Sequence, residues 1–230
     1  MKLSIVIPAY NEERTLPEVI AAVRAVPLGE VEREIVVVND GSTDGTRRVI
    51  ESLAGPDLVA VNLETNRGKG AAMRRGIEAS SGEYVLVQDA DLEYDPADYP
   101  ALLAPLRNGT ADAVYGSRIL GGNAGSYRAY YWGGRLLTLV FNLLYGTGIT
   151  DLTTCYKIFS RADAIAFRLE CDGFEFCEEV TARLVRSRKR LVEVPVRYRP
   201  RSFSQGKKIR WTDGIQAVRT MLRLRLSRPR

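Results

Sequence analysis

A chain of 230 residues with 45% hydrophobic and 27% charged content has the make-up of one large globular domain and excludes a disordered or fibrous polymer. The absence of histidine removes imidazole bases, histidine triads and histidine metal sites at once. The net charge of +5 hides an uneven distribution: residues 197–230 hold 11 Lys/Arg against one acid, Asp213, a surplus of +10 that leaves the first 196 residues at −5. A mildly acidic body with a strongly basic tail implies a polyanionic partner, whether phosphate groups, anionic lipid or nucleic acid. No run reaches the roughly 18 uninterrupted apolar residues that span a bilayer. The N-terminus has no signal-peptide layout, and Cys155, Cys171 and Cys177 form no CxxC pair, so reduced thiols in the cytoplasm are expected.

In chain order, Leu3–Pro8 is predicted as a strand and Leu16–Val26 as a helix. Glu34–Val38, a nearly continuous β-branched run, reads as a strand covered on both faces and stops at the turn cluster Asn39-Asp40-Gly41-Ser42. A helix over Thr46–Leu53, a strand over Leu58–Leu63, a helix over Ala71–Ser80 and a strand over Tyr84–Val87 follow. Next come a helix over Pro96–Leu106 and a strand over Ala113–Tyr115. Strands separated by helical patterns of about 10–15 residues mean βαβ units and an α/β fold with a mostly parallel sheet flanked by helices. Beyond Gly116, Tyr127–Tyr145 reads as a helix interrupted by Gly133-Gly134, and its aromatics as core, with an acceptor groove or membrane interface as the other reading. Thr154–Phe159 reads as a return to the sheet, Phe176–Arg186 as helical and Arg190–Arg197 as extended. Lys207–Leu226 sets Ile209, Ile215, Val218, Met221, Leu222 and Leu226 among arginines, the pattern of a basic amphipathic helix. One domain over 1–206 with an appended helix over 207–230 is expected.

Ligands of parallel α/β sheets bind beyond the carboxyl ends of the strands. Polar residues gather there: Pro8-Ala9-Tyr10-Asn11-Glu12 after the first strand, Asn39 to Gly45 after the second, and Asp89-Ala90-Asp91 after the fourth. Two carboxylates at i and i+2 on a strand terminus suit a hard divalent cation, and without histidine or a cysteine cluster that cation is Mg²⁺ or Mn²⁺, bound through oxygen and bridged to a diphosphate. There is no Walker spacing and no GxGxxG after the first strand. Lys69, between Gly68 and Gly70 at a helix start, is placed to face phosphate.

Together, Val6-Ile7-Pro8-Ala9-Tyr10-Asn11-Glu12, Asp40-Gly41-Ser42-Thr43-Asp44-Gly45-Thr46, Asn66-x-Gly68-Lys69-Gly70, Asp89-x-Asp91 and Gly116-Ser117-Arg118 resemble the family 2 glycosyltransferases. That family has the GT-A (Rossmann-like) fold, takes nucleotide-sugar donors and inverts the anomeric carbon. Asp151-x-x-Thr154-Cys155-Tyr156-Lys157, Glu179-Val180-Thr181-Ala182-Arg183 and Tyr198-x-x-Arg201-x-x-x-Gln205-Gly206-Lys207-Lys208-Ile209 look like the branch of polyprenol- (dolichol-) phosphate mannosyl or glucosyl synthases. The resemblance implies that Pro8, Tyr10 and Glu12 line the nucleoside pocket, with Asp40 at the base or ribose. It puts Lys69 near the donor, Asp89 and Ala90 at ribose or sugar, and Asp91 on the metal with Glu93 as helper. Arg118, Arg128, Arg201 and Lys207 would hold the diphosphate or the acceptor phosphate. Gln205 stands where the branch often has Glu, and Glu178 where relatives tend to have Pro.

The residue types suit such a reaction. Metal and Lys/Arg clamps neutralise a leaving nucleoside diphosphate. A hydroxyl acceptor needs a general base, whereas a lipid monophosphate, with a second ionisation near pH ~6, is already an oxyanion at neutral pH. The expected acceptor is therefore a polyprenyl (dolichyl) phosphate and the donor GDP-mannose or UDP-glucose; the alternative is a soluble or protein hydroxyl acceptor. The basic tail reads either as a fold-back helix or as an element resting on the cytoplasmic face of an anionic membrane, alone or beside a separate membrane-protein partner. On the second reading, truncation after Thr220 is expected to spare nucleotide-sugar binding. Nucleic acid is not the expected partner, since no recognised binding motif accompanies the basic tail.

Overall fold

In a computed structural model, which describes residues 1–122, 128–200 and 211–227, the β-branched runs of the first half become the middle of a sheet. β1 (Lys2–Ala9) lies between β2 (Glu32–Asp40) and β4 (Tyr84–Val87), with β3 (Leu58–Leu63) outside β2, and all three pairings are parallel. Consecutive residues Ile5, Val6 and Ile7 in β1 and Val36, Val37 and Val38 in β2 are all buried. Side chains alternate across a strand, so burial without alternation means that both faces are covered. The cover comes from α1 (Leu16–Ala25), α2 (Thr46–Ser52), α3 (Lys69–Ala79) and α4 (Tyr99–Arg107), the last preceded by a 3-10 turn over Pro96–Asp98. α3 approaches the sheet closely because Gly76 has no side chain: a Cβ there would sit 2.3 Å from Val6 Cγ1.

The second half adds β5 (Ala113–Ser117), α5 (Arg128–Tyr145), β6 (Lys157–Ser160), α6 (Arg161–Ala166), α7 (Phe176–Arg186), β7 (Leu191–Pro195) and α8 (Trp211–Leu226). The sheet has seven strands in the order β3-β2-β1-β4-β6-β5-β7. It is mostly parallel, the exception being β6, which runs against both β4 and β5. The excursion through α5 leaves β5 at the carboxyl edge and re-enters at the same edge, where Tyr115 faces Lys157, so β6 must run backwards. The predicted return over Thr154–Phe159 thus begins three residues later, at Lys157. α6 is not in the sequence reading; Ser160 caps it by accepting from Asp163 N–H at 3.3 Å.

A second apolar cluster lies under α5, α7 and α8, built from Phe141, Ile149, Leu152, Ala182, Ala217, Met221 and Leu224. Tyr145 Oη donates to the Met221 carbonyl at 2.8 Å and ties α5 to α8. The basic helix therefore folds back on one face. Truncation after Thr220 would strip Met221 and Leu224, 0% and 4% exposed, from this cluster, so the cut removes core packing together with the distal arginines. Among the described residues no helix is long and apolar enough to cross a membrane.

Candidate active site

The strand order places the carboxyl ends of β2, β1 and β4 side by side, with Ala9 level with Asn39 and Val6 with Val87. The loops that follow are stitched together. Asn11 adopts φ 54°, a left-handed turn that asparagine tolerates, and its Oδ1 accepts from Thr43 N–H at 2.8 Å. Glu12 N–H donates to Thr46 Oγ1 at 2.9 Å. Thr15, at the start of α1, does not cap the helix with its side chain. Its hydroxyl instead lies 2.7 Å from Glu12 Oε2 and 2.8 Å from the Ala90 carbonyl, joining the β1 loop to the β4 loop. Pro8 and Tyr10 are half-buried and Glu12 buried along the same edge.

Asp40 ends β2 and accepts from the N–H groups of Arg67 at 2.8 Å and Gly68 at 2.9 Å. Burial nevertheless pushes its carboxyl above the ordinary range, against those two donors. Gly41, at φ +65°, lets the Thr65–Asn66 backbone pass where a Cβ would collide at 2.3 Å. That approach delivers Lys69, the first residue of α3, whose Nζ is ion-paired with Asp89 and 3.8 Å from Cys155 Sγ. Burial opposes the charge on Lys69, but Asp89 outweighs it and holds the amine protonated, above the ordinary lysine value. Gln88 supports the turn from beneath: its Oε1 accepts from Tyr99 at 2.6 Å and Tyr156 at 2.8 Å, while its Nε2 donates to the Asp89 carbonyl at 2.9 Å.

Asp91 is buried and accepts from Glu93 N–H at 3.1 Å. Glu93 Oε2 accepts from Tyr198 Oη at 2.8 Å. No group of three or more carboxylates or thiols that could hold a metal occurs among the described residues. The donor set of Asp91 and Glu93 therefore fits an Mg²⁺ or Mn²⁺ that takes one or two carboxylates and completes its shell with phosphate and water, not an ion caged by protein alone.

Arg118 follows β5. Its Nε and Nη2 donate to Asp151 at 2.7 and 2.6 Å and Nη2 also to Thr153 Oγ1 at 2.7 Å, while its guanidinium lies 5.1 Å from the Tyr198 ring centre. Burial would raise the Asp151 pKa, but Arg118 overcomes this and holds the carboxyl below its usual value. Pro8, Tyr10, Glu12, Asp40, Lys69, Asp89, Ala90, Asp91, Glu93 and Arg118 thus lie on strand ends, adjoining loops and one helix start at one sheet edge. Arg128 opens α5, but its side chain, with Arg201, Gln205, Lys207 and Lys208, lies outside the described residues. Sequence reasoning overlooked Thr15, Gln88 and the part played by Tyr198. For Tyr198 the available signal was its place three residues before Arg201.

Residues 4–167 match the model of glycosyl transferase family 2. The undecaprenyl-phosphate mannosyltransferase of Micrococcus luteus is 34% identical over 224 residues, covering 90% of this chain and 87% of that protein. Glycosyltransferase AglJ of Haloferax volcanii is 32% identical over 199 residues, 86% of this chain; the chain spans 63% of that relative's length, under two-thirds. Among solved structures, glucosyl-3-phosphoglycerate synthase from Mycobacterium tuberculosis, in complex with Mn²⁺, UDP-glucose and glycerol 3-phosphate, superimposes with a TM-score of 0.68 at 25% identity, covering 97% of this chain and 79% of that one. With the motifs on one edge of a GT-A sheet and the family model matching most of its length, the chain belongs to glycosyl transferase family 2.

Proposed function

We propose that the protein is an inverting hexosyltransferase that moves a sugar from GDP-mannose or UDP-glucose to a polyprenyl (dolichyl) phosphate. The observation that carries this reading is the loop Gln88–Glu93 at the carboxyl edge. There Asp91 and Glu93 offer oxygen donors to a cation, and two ion pairs, Lys69–Asp89 and Arg118–Asp151, hold fixed charges beside them. The Micrococcus relative named for undecaprenyl phosphate supports the acceptor class, and the Mn²⁺ in the solved neighbour supports a divalent ion.

The nucleoside rests on Pro8, Tyr10, Glu12 and Asp40, and Asp89 and Ala90 meet its ribose or the sugar. Asp91, aided by Glu93, would hold Mg²⁺ or Mn²⁺, which supplies charge neutralisation to the departing diphosphate. Lys69 holds the Asp89 carboxylate in place through their ion pair. Arg118, oriented by Asp151, presents a cation that needs no reorganisation as negative charge develops; Arg128, Arg201 and Lys207 complete the hold on the acceptor phosphate. That acceptor arrives as an oxyanion, so the chain needs no base to deprotonate it. The basic C-terminal stretch of residues 207–230, which includes α8 (Trp211–Leu226), rests on the cytoplasmic face of an anionic membrane, where the lipid chain of the acceptor stays; a separate membrane protein can assist.

The second reading, transfer to a soluble hydroxyl, is favoured by the likeness to glucosyl-3-phosphoglycerate synthase. The test is product partition. The chain is incubated with Mn²⁺, labelled GDP-mannose or UDP-glucose, and either a polyprenyl phosphate or 3-phosphoglycerate. Label entering the organic phase only with the lipid acceptor supports the first reading. Label retained in water as a sugar phosphoglycerate overturns it.

A further inference from the structure

The segment after β7 is zipped to the loop that follows β4. Arg199 N–H donates to the Glu93 carbonyl at 2.8 Å, and Tyr94 and Tyr198 form an antiparallel bridge. Arg197 adds ion pairs to Asp95 at 3.0 Å and Asp98 at 2.8 Å. Tyr198 is the centre of this zipper. Its hydroxyl donates to Glu93 Oε2 at 2.8 Å. One face of its ring lies under the Arg118 guanidinium at 5.1 Å, and its ring centre is 5.1 Å from that of Tyr94 in an edge-to-face contact. Tyr94 is itself locked, accepting from Cys155 N–H at 3.0 Å and lying 3.3 Å from Thr154 Oγ1.

Resting on the glycosyltransferase reading, we infer that Tyr198 is a positioning residue that sets both the Glu93 carboxylate for the divalent cation and the Arg118 guanidinium for phosphate. The physical case has two parts. A phenol donating to one oxygen of a carboxylate fixes the carboxylate's rotation, and loss of such a partner commonly costs a metal site about 10–100-fold in affinity. An aromatic face opposite a guanidinium fixes the plane of the cation as well as attracting it. One side chain thereby ties the donor half of the site to the acceptor half, three residues before Arg201.

The hydroxyl and the ring are separable. Tyr198→Phe removes only the hydroxyl, and Tyr198→Leu removes both. Mn²⁺ is titrated calorimetrically into the full-length chain with saturating UDP, and again with GDP; KM for a short-chain polyprenyl phosphate and the melting temperature are measured alongside. Tyr198→Phe is expected to weaken Mn²⁺ binding about tenfold or more with the acceptor KM within about twofold of wild type. Tyr198→Leu is expected to lose Mn²⁺ affinity to the same degree and to raise the acceptor KM as well, because the Arg118 platform is gone. Should Tyr198→Leu fail to fold, Tyr198→Phe decides alone. Mn²⁺ affinity unchanged in Tyr198→Phe overturns the inference while leaving the function intact. A wild-type chain that binds no Mn²⁺ with either nucleotide overturns this inference and the metal reading together, and leaves the lipid-partition assay to judge the transfer.

Discussion

Asp91 illustrates how charge and shape separate at a single residue. Its carboxylate accepts a backbone N–H from Glu93, and an amide oxygen can accept the same bond. Asp91→Asn should therefore preserve the turn and the melting temperature while lowering transfer at least about a hundredfold, since the cation loses its anionic ligand. EDTA should do the same to wild type, with Mg²⁺ or Mn²⁺ but not Zn²⁺ restoring the rate; near-normal turnover of the variant at limiting metal would remove Asp91 from the metal site. A second carboxyl behaves differently. Glu178 on α7 is 3% exposed, and burial pushes its pKa up to about 7, opposed by Lys157 and reinforced by Glu175. The folded chain keeps this proton after the unfolded chain has lost it, so the group's stabilisation is full below the ordinary glutamate value of 4.5 and is lost as pH rises to about 7. Glu178→Gln, permanently neutral, should melt ever higher relative to wild type from pH 5 to pH 7, with the gap constant above that; a gap that does not change with pH would show that Glu178 ionises normally. Residue types beyond a strand end and at a helix start were legible in the sequence, as Asp89 and Asp91 after β4 and Lys69 at the start of α3 show. Their partners were not: Arg118 with Asp151, Lys69 with Cys155 and Tyr198 with Glu93 lie 33, 86 and 105 positions apart, and only the folded sheet makes them neighbours.

The same contrast holds for the elements. β3, β4 and α7 have the predicted bounds, because each carries a period or a β-branched run that its neighbours reinforce. β6, four residues reversed between two strands, and α6, six residues long, are too short to show a period, and the sense of a strand is a property of its connection. α8 was legible as amphipathic but not as two-faced. Ala217, Thr220, Met221 and Leu224 are buried, while Trp211 and Leu226 are 79% and 83% exposed, so one helix serves a core and an outer surface. The two faces predict opposite outcomes. Met221→Ala should cost about 2–5 kcal/mol in chemical denaturation by opening a cavity under α5. Leu226→Ser should change stability by no more than about 0.5 kcal/mol. Equal losses at both positions would mean that α8 does not sit on α5 and α7 in solution.

Across the whole molecule, exposed apolar rows lie on α5 and α8, and α8 also carries Arg219, Arg223 and Arg225 from the basic stretch of residues 197–230. α5 exposes Trp132, Leu136, Leu139 and Leu143, and α8 exposes Trp211, Ile215, Leu222 and Leu226, at the three- and four-residue spacing of a helix face. The charged residues within α8 are Arg219, Arg223, Arg225 and the single acid Asp213, and the sequence of α5 after Arg128 contains Arg135 and no acid. Apolar rows bordered by arginine suit the boundary between acyl chains and anionic headgroups. The body is net negative, so attraction to such a surface should orient the chain by its basic side. Exchanging Leu222 and Leu226 for serine leaves the buried face and every arginine in place. Burial of a leucine is worth about 1.5–3 kcal/mol when complete, so even partial insertion of both predicts at least about tenfold weaker sedimentation with anionic vesicles. Melting temperature and nucleotide binding should not move. Transfer to a long polyprenyl phosphate in vesicles should slow in parallel, transfer to a short water-soluble prenyl phosphate should keep its rate, and added salt should weaken vesicle binding of the wild type by screening the arginines. If the double variant sediments like wild type, the exposed row does not enter a bilayer and the basic helix is attached to the fold for packing alone.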